Sequence, residues 1–213
     1  MPRSAPWPSG VEPVRDVEER FPARRVREDP TALPPPDGGL GMASSSDVPI
    51  LLLDVDGVLN AARVDLPEGW ERGVFNGYVL SWDPTVTARL RELHESGRVE
   101  IQWLTTWTTD ADRLLAEPMG LPRGLVTHAR ADAAPTGFAG SFGSRSGWWK
   151  LDLARAVAEA EPDRRIVWID DDLAEQAADT GEWLAARPHV LVVAPDLFAG
   201  LTHEQLDEIE AWL

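Results

Sequence analysis

Two stretches restrict the fold of this chain more than any others: Ile50-Leu51-Leu52-Leu53 and Ile166-Val167-Trp168-Ile169, each apolar at every position and each stopping at once in acids. A run that is apolar on every residue, not on alternate ones, marks a strand buried on both faces, as in a parallel sheet covered by helices. Val190 to Val193 has the same texture, Val99 to Leu104 is a further strand, and Leu125-Val126-Thr127 is a shorter fifth candidate. Helical signals fall between these blocks. Asp83-Pro84 opens a helix with an N-cap and a first-turn proline, Val86, Leu90 and Leu93 form its stripe, and Gly97 ends it. A short helix is expected near Asp110 to Ala116, and longer ones from Trp148 to about Ala160 and from Leu173 to about Ala186. Thr202 with Gln205 makes a capping box for a last helix striped by Leu206, Ile209 and Leu213.

Strands that alternate with helices predict an α/β fold, a Rossmann-like three-layer sandwich with a five-stranded, mainly parallel sheet. The polar and aromatic stretch from Ala61 to Trp82, with Gly69, Gly73 and Gly77, reads as a hairpin or flap; at about twenty residues it is too short for a large cap domain. Residues 1–47 are different material, with nine prolines, Gly38-Gly39 and a Ser44-Ser45-Ser46 run. They are expected to be a disordered tail ahead of a domain at 48–213. Met42 stands just before the first strand, so a translation start there is the alternative.

Composition narrows the function. The chain has no cysteine, which removes disulfides, thiolate metal sites and a cysteine nucleophile. Its four histidines are scattered without metal-ligand spacing. A net charge of −16 argues against autonomous binding to nucleic acid and suits a cationic cofactor. No apolar run approaches the ~20 residues of a membrane span, and Met1 to Gly10 has no secretory core. A cytoplasmic protein is expected.

In parallel α/β sheets the ligand site lies at the carboxyl ends of the strands. Those ends carry Asp54-Val55-Asp56-Gly57-Val58-Leu59-Asn60, then Trp103-Leu104-Thr105-Thr106-Trp107, then Ile169-Asp170-Asp171-Asp172. Lys150 stands at a helix start between them and is the only lysine among 20 basic residues. Crowded carboxylates repel one another and need a cation or shared protons. All-oxygen ligands favour Mg²⁺. A carboxylate nucleophile beside Mg²⁺, with a lysine and a hydroxyl for phosphate oxygens, makes a phosphoryl-transfer site.

These residues resemble the four ordered motifs of the haloacid-dehalogenase (HAD) superfamily: Asp54 to Asn60, Thr105, Lys150, and Asp170 to Asp172. The wording around Trp103 to Trp107, Trp149-Lys150, Trp168 to Asp172 and Gly200-Leu201-Thr202 is similar to the HAD domain of bacterial multidomain RNA-repair proteins. The resemblance implies a Mg²⁺-dependent phosphatase acting on a phosphomonoester. Asp54 would form an aspartyl-phosphate, and Asp56 would protonate the leaving oxygen and then activate water. Thr105 and Lys150 would bind phosphoryl oxygens. Asp54, the Asp56 carbonyl and Asp170 would hold Mg²⁺, with Asp171 as a further ligand. Asn60 would orient the loop.

Blander roles compete at each position. Asp-x-Asp can be turn chemistry, Thr105 can cap the following helix, and Asp172 is assigned to helix N-terminal charge. A response-regulator receiver also combines aspartates, a threonine and a lysine, but there the lysine comes last, whereas Lys150 precedes the final acids. A non-catalytic binding module is the other alternative. The substrate is expected to be a phosphorylated molecule of open identity, with a nucleic-acid end or a nucleotide among the candidates.

Overall fold

Each strand of the main sheet sends alternate residues to opposite faces, and both faces are covered. The computed structural model describes residues 47–129 and 148–213. The strands are β1 (Ile50–Leu53), β4 (Glu100–Trp103), β5 (Ile166–Ile169) and β6 (Val190–Val193), all parallel in the order β4-β1-β5-β6. Ile50 pairs with Glu100 on one side and Ile166 on the other, which puts Leu53 level with Trp103 and Ile169. The strand ends, and the acids just beyond them, therefore lie in one row.

Leu51 and Leu53 face a core closed by helices α1 (Pro84–Glu95) and α4 (His203–Trp212), through Leu90, Leu206 and Ile209. Ile50 and Leu52 face a second core closed by α2 (Trp149–Ala160) and α3 (Ala177–Ala185), through Leu151, Ala154 and Trp183. This is the three-layer sandwich expected from the unbroken apolar runs. Trp168 anchors the second layer, stacked on Trp148 at 4.9 Å and edge-on to Trp183 at 6.5 Å.

The fifth strand is reduced to its minimum. Thr127 makes a single parallel bridge to Trp103, where Trp103 N–H donates to the Val126 carbonyl and His128 N–H donates back to Trp103. An edge segment following the turn at Gly124 pairs briefly, and so leaves little open edge.

Two local details depart from the expected elements. The short helix is a π-helical turn, Ala111–Leu115, closed by Ala116 N–H to the Ala111 carbonyl. The helix expected from Leu173 begins at Ala177, because Asp170 instead caps a tight 3₁₀ turn over Asp171–Leu173. Asp170 thus supplies the cap, and Asp172 lies in the first turn, where its charge was expected. The Asp83 cap and the Thr202–Gln205 capping box form as read.

The flap is one antiparallel hairpin, β2 (Glu71–Phe75) with β3 (Tyr78–Trp82), joined at Asn76-Gly77. It lies between β1 and α1 in the chain, with no larger cap element in that interval. The tail expected over 1–47 lies, except for Asp47, outside the described residues, as does the Gly/Ser loop from Pro135 to Gly147. No helix among the described residues is long and apolar enough to cross a membrane.

Candidate active site

The site is built around one buried cation. Lys150 enters from the first turn of α2 and is 2% exposed. Its Nζ lies 2.5 Å from Asp54 Oδ2, 2.8 Å from Asp170 Oδ2 and 3.9 Å from Asp172 Oδ2. Asp54 and Asp170 come from the ends of adjacent strands, and both are buried. Burial alone would lower the Lys150 ammonium, but Asp54 and Asp170 outweigh it and hold it above its ordinary range. Burial raises Asp170, and the neighbouring Asp54 charge adds to this against the pull of Lys150.

Three carboxylates, those of Asp54, Asp170 and Asp171, place an oxygen each within 4.8 Å of one another. Burial, then Asp54 and Asp172, push the Asp171 carboxyl up to about 7. Asp170 Oδ2 is fully enclosed and sits at ion-pair distance from Lys150, but lacks a partner in hydrogen-bond geometry. Buried carboxylate oxygens with unmet lone pairs and raised affinity for protons are what a hard divalent cation satisfies. The donor set fits Mg²⁺.

The loop after β1 is shaped by two glycines. Gly57 has φ +71°, and a Cβ there would lie 2.1 Å from Asp171 Cγ. Only a residue without a side chain lets the two acidic strand ends close on each other. Gly200, also at φ +71°, would bring a Cβ to 2.9 Å from the Val58 carbonyl. That same carbonyl accepts the Leu201 N–H at 2.8 Å, so the Gly200-Leu201 turn braces the motif loop.

Asp56 stands apart from the cluster, toward the flap. Trp107 Nε1 donates to its Oδ2 at 2.9 Å and Asn60 Nδ2 to its Oδ1 at 2.8 Å. Burial, then the Asp54 charge, raise its pKa in spite of those two donors. Asn60 Oδ1 in turn accepts the Ser81 N–H at 2.9 Å, which ties the loop to β3. Trp107 also meets Tyr78 of the flap edge-on at 5.8 Å.

Thr105 lies just past the end of β4 and is fully buried. Its hydroxyl accepts the Trp107 N–H at 3.3 Å, which is the capping use that competes with phosphate binding. The fold thus brings Asp54, Lys150, Asp170 and Asp171 into contact, sets Asp56 at the flap side, and leaves Thr105 in the adjoining turn.

Sequence reasoning missed the flap's share. Asn76, at φ +49°, donates to Asp110 Oδ2 at 2.9 Å and pins the flap tip to the π-helical turn. The Asn76-Gly77 pair was the available signal for a tight hairpin turn. Arg72, Tyr78 and Asn60 line a cavity of about 470 Å³ with Asp56 and Trp107.

A Rossmann-like domain with Asp-x-Asp at its central strand end, a buried lysine and a second acidic strand end has the arrangement of the HAD-like class. The chain belongs to a family within that class: residues 50–206 match the model of the HAD domain in Swiss Army Knife RNA repair proteins. No curated protein and no solved structure matches it significantly.

Proposed function

We propose that the protein is a Mg²⁺-dependent phosphohydrolase that opens a phosphomonoester through an aspartyl-phosphate on Asp54. The observation that carries this reading is the contact of Lys150 with both Asp54 and Asp170, in a pocket where Asp54, Asp170 and Asp171 face one another.

An Asp54 oxygen attacks phosphorus and the bond to the leaving oxygen breaks, while Lys150 offsets the charge on the phosphoryl oxygens. Asp56 enters protonated, in keeping with its raised pKa, and gives that proton to the leaving oxygen. It then accepts a proton from the water that attacks phosphorus, breaking the bond to Asp54 and releasing phosphate. Thr105 is a further phosphoryl ligand in this reading, once its hydroxyl turns from the Trp107 amide. Asp54, Asp170, Asp171 and the Asp56 carbonyl would hold Mg²⁺, which when bound supplies positive charge to the transferring group. The family's link to RNA repair favours a phosphorylated nucleic-acid end or a nucleotide among phosphomonoesters.

The test is hydrolysis of an aryl phosphate by wild type and Asp54→Asn, with and without Mg²⁺. Turnover that requires the metal and disappears in the variant is expected. If wild type shows neither turnover nor a rise in melting temperature with Mg²⁺, the metal site is wrong and a non-catalytic binding role replaces this one.

A further inference from the structure

Asp56 is the site carboxylate that lines the cavity between the flap and the loops after β1 and β4, whereas Asp54, Lys150 and Asp170 are buried and outside its lining. In the reaction proposed above, Asp56 hands its proton to the leaving oxygen. The rest of the leaving group must then start at Asp56 and extend into this space. At about 470 Å³ the cavity is within the size range of small-ligand sites.

Its walls are specific. Arg72 donates from Nε to Ser81 Oγ at 3.0 Å and from a terminal nitrogen to the Val64 carbonyl at 3.2 Å. Both partners are neutral, so the guanidinium is oriented without being neutralised. Arg63 lines the same space and lies over the Trp70 ring at 5.5 Å. Among the described residues neither arginine has a carboxylate partner, although acids outnumber bases 36 to 20 in the chain. By contrast, Arg89, Arg98, Arg113 and Arg164 all sit on carboxylates. Tyr78, 38% exposed, adds an aromatic ring to the wall.

We infer that this cavity is the leaving-group pocket, that Arg72 binds a second anionic group on the leaving group, and that Tyr78 packs against a planar ring beside it. The chemistry recognised is a nucleotide unit bearing two phosphates: the one being cleaved and another held by Arg72. An oriented arginine with spare N–H donors suits a phosphate oxygen pair. The inference rests on the phosphatase reading for the direction of the leaving group.

The probes are adenosine 3′,5′-bisphosphate, adenosine 3′-monophosphate and adenosine 5′-monophosphate. Phosphate release is followed with Mg²⁺ for wild type, Arg72→Gln and Arg72→Lys. Wild type is expected to favour the bisphosphate over the better monophosphate by about tenfold to a hundredfold in kcat/KM. Arg72→Gln brings that ratio to about one, and Arg72→Lys lies between. A ratio near one in wild type, or one kept in Arg72→Gln, overturns the inference.

Terminally phosphorylated oligonucleotides, run beside the bisphosphate, separate a nucleic-acid end from a free nucleotide. Preference for either over the monophosphates supports the pocket. Calorimetric binding of the bisphosphate to Asp54→Asn, with and without Arg72→Gln, distinguishes the two readings. Arg72-dependent binding without wild-type turnover of any phosphoester keeps the pocket and overturns the phosphatase. Turnover without an Arg72-dependent ratio overturns the pocket alone. Neither binding nor turnover overturns both.

Discussion

Lys150 carries more of the local charge balance than any other residue, since Asp54 and Asp170 both lie within 2.8 Å of its ammonium. Replacing it with methionine keeps the stem and removes the charge. The buried carboxylates are then left facing each other, and breaking a buried pair in this way costs about 3–5 kcal/mol. Lys150→Met should therefore lose about that much stability in urea at pH 7 without Mg²⁺. The loss should shrink at pH 5, where Asp170 and Asp171 take up protons to relieve the repulsion. An equal loss at both pH values would mean that stem packing, not charge, is what the lysine supplies. Arginine is no substitute here: its planar fork is larger than the ammonium, and a pocket that leaves Lys150 2% exposed has no room for it.

At the level of elements, the sheet delivers the two acidic ends in register, and the loop after β1 decides whether they meet. Gly57→Ala forces a side chain against Asp171 and demands a left-handed φ of a residue that resists it. The expected result is a folded protein, judged by its far-UV circular dichroism, whose melting temperature no longer rises with Mg²⁺. A Mg²⁺ response equal to wild type would show that Asp171 is not a ligand. Much of this level was legible in the sequence because its signals are local. The unbroken apolar runs gave β1, β5 and β6, and the Asp83 and Thr202 caps gave helix starts. The Asp56–Trp107 and Asn76–Asp110 bonds were not legible, since they join residues 51 and 34 positions apart, the first between two strand-end loops and the second from the hairpin tip, and no local pattern encodes either contact. The capping role of Asp170 was hidden for another reason. Three consecutive aspartates look alike in sequence, and only the extended backbone at Asp170, which turns its side chain onto the Asp172 amide, separates them.

For the molecule as a whole, the acid cluster sets how stability depends on pH. Asp171 is held at about 7 against an ordinary 3.8, and burial raises Asp56, Asp170 and Asp172 in the same direction. A carboxyl with a raised folded pKa binds its proton in the folded state at pH values where the unfolded chain has released it. Between about pH 4 and 7 the folded form therefore holds more protons, and its stability falls as pH rises. Lys150 adds no slope there, because its shift upward lies wholly above that window. Carboxylates elsewhere act in the opposite sense: Glu210, hydrogen-bonded to Arg89 and Arg98, is lowered, so its contribution is present above its unfolded value of 4.5 and is lost as pH falls further. In a chelator the melting temperature should thus rise as pH is lowered from about 8 to 6, before acid loss of pairs such as Glu210–Arg89 sets in. Asp171→Asn should flatten that rise, because one of the groups that takes up a proton on folding is gone. Mg²⁺ competes with protons for the same oxygens, so it should raise the melting temperature more at pH 8 than at pH 6. A metal-free melting temperature that climbed with pH across this range, unchanged in Asp171→Asn, would show that the cluster does not hold its protons as its burial dictates.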